Sequence, residues 1–153
     1  MQTHIIREAN IEDISQIQIV RHSVKENVLS NPSLVTDKDC EEFVTIRGKG
    51  WVCEVDGKIQ GFAIADLKES NIWALFIHPD YEKMGIGTQL QNQMLEWYFG
   101  QGKEKVWLST EKQSRAETFY RKLGWKESEI LSNNEIKFEM TMKKWEAIKQ
   151  TSY

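Results

Sequence analysis

The sequence predicts an α/β (α+β) fold, a mixed sheet with helices on its faces, and three observations carry that expectation. Strand-like and helix-like segments follow one another in the order β-α-α-β-β-β-α-β-α-β-β. Asp56-Gly57 stands between two apolar runs, a strong hairpin signal because Asp-Gly accepts the positive φ angles of a type I′ turn. At 75–88 an apolar strand runs through a proline turn into two glycines that open a helix.

Taken in order, Ile5-Ile6-Arg7 reads as a short strand. Asn10 caps a helix, with Asp13 three residues on and Ile11, Ile14, Ile17 and Val20 near helical spacing. The polar stretch 27–37 contains Asn31-Pro32 and reads as a loop. A second helix is expected over Asp37 to Ile46, ended by Gly48-Lys49-Gly50. Strands follow at 51–55 and 58–65, then a turn at 68–71 and a strand at 72–77. The helix after the glycines carries Leu90, Met94, Trp97 and Tyr98 on one face and stops at Gly100 and Gly102. Lys105 to Ser109 is a strand. Ser114 to Leu123 is a helix with Ala116, Phe119, Tyr120 and Leu123 on one side, stopped by Gly124. Phe138, Met140 and Met142 alternate with Lys137, Glu139 and Thr141 in a final half-exposed strand, followed by a tail.

A length of 153 residues suits one domain over 1–153. The net charge of -3 argues against non-specific nucleic-acid binding, which needs a basic footprint. Cys40 and Cys53 are too few for a disulfide scaffold, and no Cys/His cluster has zinc spacing, so no metal is expected. No charged leader or apolar run of spanning length is visible; a cytoplasmic protein without a membrane partner is expected.

The junction at 75–88 carries the first chemistry. Backbone N–H groups at the start of a helix have no intrahelical acceptor, and the dipole there is positive, which suits a phosphate. Gly87 is followed by Thr88-Gln89 rather than the Lys-Ser/Thr of a Walker loop. Leu90 stands where a dinucleotide fingerprint needs a third glycine. Together, His78-Pro79-Asp80-Tyr81, Gly85-Ile86-Gly87 and the amphipathic helix resemble the GNAT superfamily of acyl-CoA-dependent N-acyltransferases. The block Arg115-Ala116-Glu117-Thr118-Phe119-Tyr120-Arg121-Lys122-Leu123-Gly124-Trp125 resembles that family's late helix, which carries a tyrosine and ends in Leu-Gly-Phe/Trp. The two blocks stand in the family's order, and the resemblance runs from about Gly50 to Met142.

The resemblance implies a mixed, mostly antiparallel central sheet flanked by helices. It also implies acetyl transfer from acetyl-CoA to a primary amine, of a small molecule or a protein, by direct attack in a ternary complex. The backbone of Leu75, Phe76 and Ile77 would pair with pantetheine, and the amides of Lys83, Met84, Gly85, Ile86, Gly87 and Thr88 would cradle the pyrophosphate. Gln113 would also contact CoA. The N–H of Phe76 would donate to the thioester oxygen, and Tyr120 would act as general acid to the departing thiolate. The segment Arg21 to Asn27 would line the acceptor site, with His22, Glu26 and Asn27 as contacts, and Trp73 either walls that pocket or fills the sheet. The base is harder to read. The family often holds a glutamate where this chain has Asn71, so Asp66 and Glu26 are the carboxylates considered for that role. Glu82 stands where the family usually has Gln or Arg. An acyl-CoA sensor or interaction module without turnover is the alternative. Exposed edge strands and the tail after Met142 suit a homodimer.

Overall fold

A computed structural model describes residues 3–24 and 35–151, and the chain divides into two units, Met1–Met94 and Leu95–Tyr153. In the first unit, β1 (His4–Glu8), β2 (Gly48–Val55), β3 (Lys58–Asp66) and β4 (Asn71–Ile77) form antiparallel neighbours in chain order. The β2–β3 turn has φ of 51° at Asp56 and 84° at Gly57, the two positive angles that Asp-Gly accepts.

Helix α1 (Ile14–Ser23) begins where the sequence expects. Asn10 accepts from the Glu12 amide, and Asp13 accepts from the Asn10 amide, which closes a capping box. Asp13 also takes Nη1 and Nη2 of Arg7 at 2.8 and 2.9 Å. The Arg7 guanidinium thereby holds the Asp13 carboxyl below its ordinary range. Ile14, Ile17 and Val20 are buried, whereas Ile11 is exposed because it lies in a 3-10 turn ahead of the helix. Ile17 and Val20 pack with Val44, Val52, Ile59, Phe62, Ile64 and Ala74 as the core of this unit.

Helix α2 (Asp37–Glu42) is capped by Thr36 with Asp39 in a second capping box. The helix expected to reach Ile46 instead changes to a π-helical turn over Phe43–Arg47. The expected stop, Gly48-Lys49-Gly50, is the start of β2. A Cβ at Gly48 would lie 1.7 Å from the Ala65 carbonyl oxygen, so the glycine there serves close strand approach rather than helix termination.

Helix α3 (Ile86–Gly100) follows the junction, with Leu90, Met94 and Tyr98 buried as its spacing predicts. In the second unit, β5 (Lys105–Thr110), β7 (Ile136–Thr141) and β6 (Lys126–Ile130) pair antiparallel in that spatial order. Helix α4 (Arg115–Lys122) lies between β5 and β6 in sequence.

The expected tail after Met142 is helix α5 (Met142–Thr151), with Trp145 buried. Its Ile148 lies over Gly124, where a Cβ would approach Ile148 Cδ1 to 2.9 Å. Gly124 also has φ of 94°. Gly124→Ala is expected to destabilise the protein by about 1–2 kcal/mol, read by urea unfolding, because alanine resists the left-handed region. Gly124→Asn should cost less, since asparagine tolerates that conformation. Equal stability of all three proteins would contradict this account.

Candidate active site

Strand β4 ends in a turn that the sequence makes stiff. Pro79 starts a 3-10 turn over Pro79–Tyr81, and the Asp80 amide donates to Nδ1 of His78 at 3.1 Å. His78 is therefore a local cap. Gly85 follows with φ of 77°, and no atom lies within 4 Å of where its Cβ would be. The glycine answers to backbone conformation there, not to crowding. Ile86 is fully buried and anchors the start of α3, while Lys83 and Gly85 are exposed and Gly87 and Thr88 partly so. The first backbone bond of that turn runs from the Gln89 amide to the Gly85 carbonyl, at 3.2 Å. The amides just before it lie at the positive helix end, which suits a phosphate.

The strand leading into this turn changes character along its length. Residues 71–74 alternate between half-buried and buried, but Leu75, Phe76 and Ile77 are all half-buried. The β3 partners skip Trp73, since Ile64 faces Ala74 and Ala65 faces Ile72. Trp73 is thus the extra residue of a β-bulge, a device that re-aims side chains next to sites.

Trp73 lies in a four-layer stack. Its ring lies 3.8 Å from that of Phe43 with 5° between the planes. Arg47 covers the far face of the pair, 4.5 Å from the Phe43 centroid. Arg21 lies 4.9 Å from the Trp73 centroid, and also 5.5 Å from that of Phe62 and 5.2 Å from that of Phe76. Nε and Nη2 of Arg21 are buried with no hydrogen-bond partner among the described residues. The sequence marks Arg21 only as part of the segment Arg21 to Asn27, and it carries no functional signal at Phe43 or Arg47. One signal pointed to Arg21: it falls four residues after Ile17, on the buried stripe of α1, where a charge is out of place.

Asp66 does not fit the base role expected for it. It is 1% exposed, and Arg47 donates to both its oxygens, from Nε at 3.2 Å and Nη2 at 2.7 Å. The Lys68 amide donates to Oδ1 as well, at 3.0 Å. With both oxygens filled by a bidentate cation and one of them also by a backbone amide, this buried carboxylate has little acceptor capacity left to face an incoming amine. Oδ1 of Asn71 is buried without a hydrogen-bond partner among the described residues. His22 is exposed, while Glu26 and Asn27 lie outside the described residues.

In the second unit, Ser114 caps α4 by accepting from the Glu117 amide, and Glu117 accepts from the Gln113 amide at 2.8 Å. Gln113 has φ of 60° and is exposed. The other end of α4 explains the Leu-Gly-Trp run physically. The Gly124 amide donates to the Arg121 carbonyl and the Trp125 amide to the Tyr120 carbonyl, at 3.2 and 3.0 Å. These are the two bonds of a Schellman motif, whose hydrophobic partner pair is then Trp125 and Tyr120. Their rings meet edge to face at 5.6 Å, with Phe119 at 5.1 Å and Phe138 at 6.2 Å from Tyr120. Burial pushes the Tyr120 phenol above its ordinary value, so it stays protonated at neutral pH. Burial likewise pushes the Cys53 thiol up to about 11, which leaves it a poor nucleophile.

The sequence model of the acetyltransferase (GNAT) family matches residues 13–125. The chain belongs to the GNAT acetyltransferase family. The resemblance drawn from the glycine junction and the late tyrosine helix is thereby borne out. An uncharacterized N-acetyltransferase of Methanocaldococcus jannaschii is 33% identical over 92 residues, covering 53% of this chain and 40% of the relative. The ribosomal protein bS18-alanine N-acetyltransferase of Escherichia coli K12 is 28% identical over 81 residues, covering 51% of this chain and 55% of the relative. The matched stretch therefore spans about half the length of these curated relatives.

Among solved structures, an N-acetyltransferase of Thermoplasma acidophilum in complex with coenzyme A aligns with a TM-score of 0.78 at 18% identity, over 91% of this chain and 99% of that one. An acetyltransferase of Salmonella typhimurium, solved with its cofactor acetyl-CoA, gives 0.74 at 16% identity, over 92% and 94%. At such identities the likeness establishes the GNAT fold, the mixed and mostly antiparallel sheet with flanking helices that the sequence predicts. Among the described residues, no helix is long and apolar enough to cross a membrane, and no cluster of metal-ligating side chains is found.

Proposed function

We propose that this GNAT protein is an acetyl-CoA-dependent N-acetyltransferase acting on a primary amine by direct attack in a ternary complex. One observation carries the reading. Within the matched stretch, a strand half-exposed over Leu75–Ile77 leads through Gly85, at positive φ, into an open helix N-terminus. That arrangement suits an extended arm ending in a pyrophosphate. The amides of 83–88 would bind the phosphates, residues 75–77 the pantetheine, and Gln113 a further part of CoA. Because the match runs on through the Tyr120 block, the two units act as one domain over 1–153 in this reading.

Attack by a neutral amine on the thioester carbon forms a C–N bond and moves charge to the carbonyl oxygen. The Phe76 amide is the donor assigned to that oxygen. Collapse breaks the C–S bond, and the thiolate leaves. Tyr120, kept protonated by burial, donates a hydrogen bond to the sulfur as charge develops there. The attacking amine must also shed a proton. Asp66 is committed to Arg47, so Glu26, or water, is the base in this scheme, and the Asn71 amide oxygen can align the amine but not deprotonate it. His22, Asn27 and Trp73 are assigned to the acceptor side. The acceptor is a small-molecule or protein amine, the site of action the cytoplasm, and a homodimer is compatible with the scheme.

The amide at Asn71 favours the second reading, an acyl-CoA sensor with this fold. Thermal denaturation separates these proposals from others. CoA or acetyl-CoA at a hundred times its Kd should stabilise the protein by about 2.7 kcal/mol, with no response to ATP or NAD. Absence of a CoA response would remove both readings. Where CoA binds, thiol release across an amine panel distinguishes enzyme from sensor.

A further inference from the structure

We propose that Arg21 selects the acceptor and that the acceptor amine carries a carboxylate, which docks on the Nε–Nη2 edge of this guanidinium. This rests on the acetyltransferase reading above. Two arginines cap the stack of Phe43 on Trp73, and they differ in one respect. Arg47 has its Nε–Nη2 edge filled by both oxygens of Asp66, at 3.2 and 2.7 Å. The same two atoms of Arg21 are buried with no acceptor among the described residues. They carry three N–H donors in one plane, the fork that matches a carboxylate.

The aromatic rings do not remove this deficit. Phe62, Trp73 and Phe76 offer π faces to the cation, which offsets part of its desolvation. A ring face is a weak substitute for in-plane acceptors, and an unpaired buried charge is costly. The Cys40 thiol hydrogen-bonds the Arg21 side chain, but it is a weak acceptor that burial keeps neutral, and Nε and Nη2 still lack a partner among the described residues. A guanidinium remains charged even where burial draws its pKa down, as it does here. The fold thus holds a fixed cation with an unfilled, buried fork on the buried stripe of α1.

Its position gives the fork a use. Two of its aromatic walls, Trp73 and Phe76, belong to β4, and Phe76 is the residue whose amide is assigned to the thioester oxygen. A carboxylate on Arg21 would hold its own amine near that carbonyl. Arg21, Trp73 and Phe76 are each partly exposed, so the cage is not sealed, although a wall must shift to admit a ligand to the Nε–Nη2 edge. Holding a planar carboxylate against a planar guanidinium is the arrangement Arg47 and Asp66 already display.

The test uses the full chain, acetyl-CoA and pairs of amino acids with their primary amides, which share the acceptor nitrogen and differ in the carboxylate. The amide has the less basic amine and hence more of it neutral, so a preference for the acid cannot arise from amine pKa. The acids should show KM values at least about tenfold below the amides, the effect of one bidentate charge-assisted contact. Arg21→Gln should abolish that difference by raising KM for the acids more than it lowers kcat, with the CoA thermal shift retained. Arg21→Lys, which keeps charge but not the fork, should recover part of it. Amides used as well as acids, acids refused where amides are acetylated, or a preference that survives Arg21→Gln would each overturn the proposal. Failure to bind CoA, or CoA binding with no amine acetylated, would instead count against the acetyltransferase reading. The same acid–amide pairs, used as thermal-shift ligands on wild type and Arg21→Gln, then read the Arg21 edge without turnover, and equal shifts by acid and amide would overturn it.

Discussion

Replacing Tyr120 by phenylalanine is expected to lower turnover about a hundredfold, the lower end of what a positioned proton donor contributes. The ring packs edge to face on Phe119 and Trp125, and phenylalanine keeps those contacts. Stability and the CoA thermal shift should therefore change little. The pH profile supplies a second check. Burial raises the phenol pKa, so the proton is present below the ordinary value of 10 and is lost only at higher pH. The wild-type rate should accordingly show no Tyr120 ionisation up to pH 10. Unchanged turnover in Tyr120→Phe would make the residue a core aromatic and nothing more.

The second large effect concerns stability. Arg47→Met leaves Asp66, 1% exposed, without its cation and is expected to cost about 3–5 kcal/mol in urea unfolding. Arg47 also lies over Phe43, so its loss removes a cation–π contact from the stack. Adding Asp66→Leu should restore part of the loss, because the uncompensated charge is then gone. Asp66→Asn, assayed well below its own melting temperature, should keep most of its kcat. A collapse of kcat there, with fold and CoA binding intact, would return Asp66 to the role of base. An Arg47→Met protein as stable as wild type would show that the pair contributes little.

Local signals were legible wherever the chemistry is local. Asp56-Gly57 specified its own hairpin, because positive φ is a property of two residues. Asn10 and Asp13 marked a helix start, because a capping box spans four residues. The Leu-Gly-Trp run ended α4 for the same reason, and it also located Tyr120 against Trp125. The reading failed at Gly48-Lys49-Gly50, where a helix stop and a close strand contact use the same residue type. It failed again after Met142, where Trp145 and Ile148 alone leave too thin an apolar stripe to announce helix α5.

The family, the order of the elements as far as β7 and the glycine junction are legible in the sequence, since each is written in short, contiguous patterns. What the charged residues do depends on the fold. Asp66 and Arg47 lie 19 positions apart, and their pairing turned a considered base into half of an ion pair. Arg21, Phe62, Trp73 and Phe76 come from a helix and two strands, and their assembly left one guanidinium edge without an acceptor. Charge becomes chemistry through distance and burial, and both depend on residues that are remote in sequence.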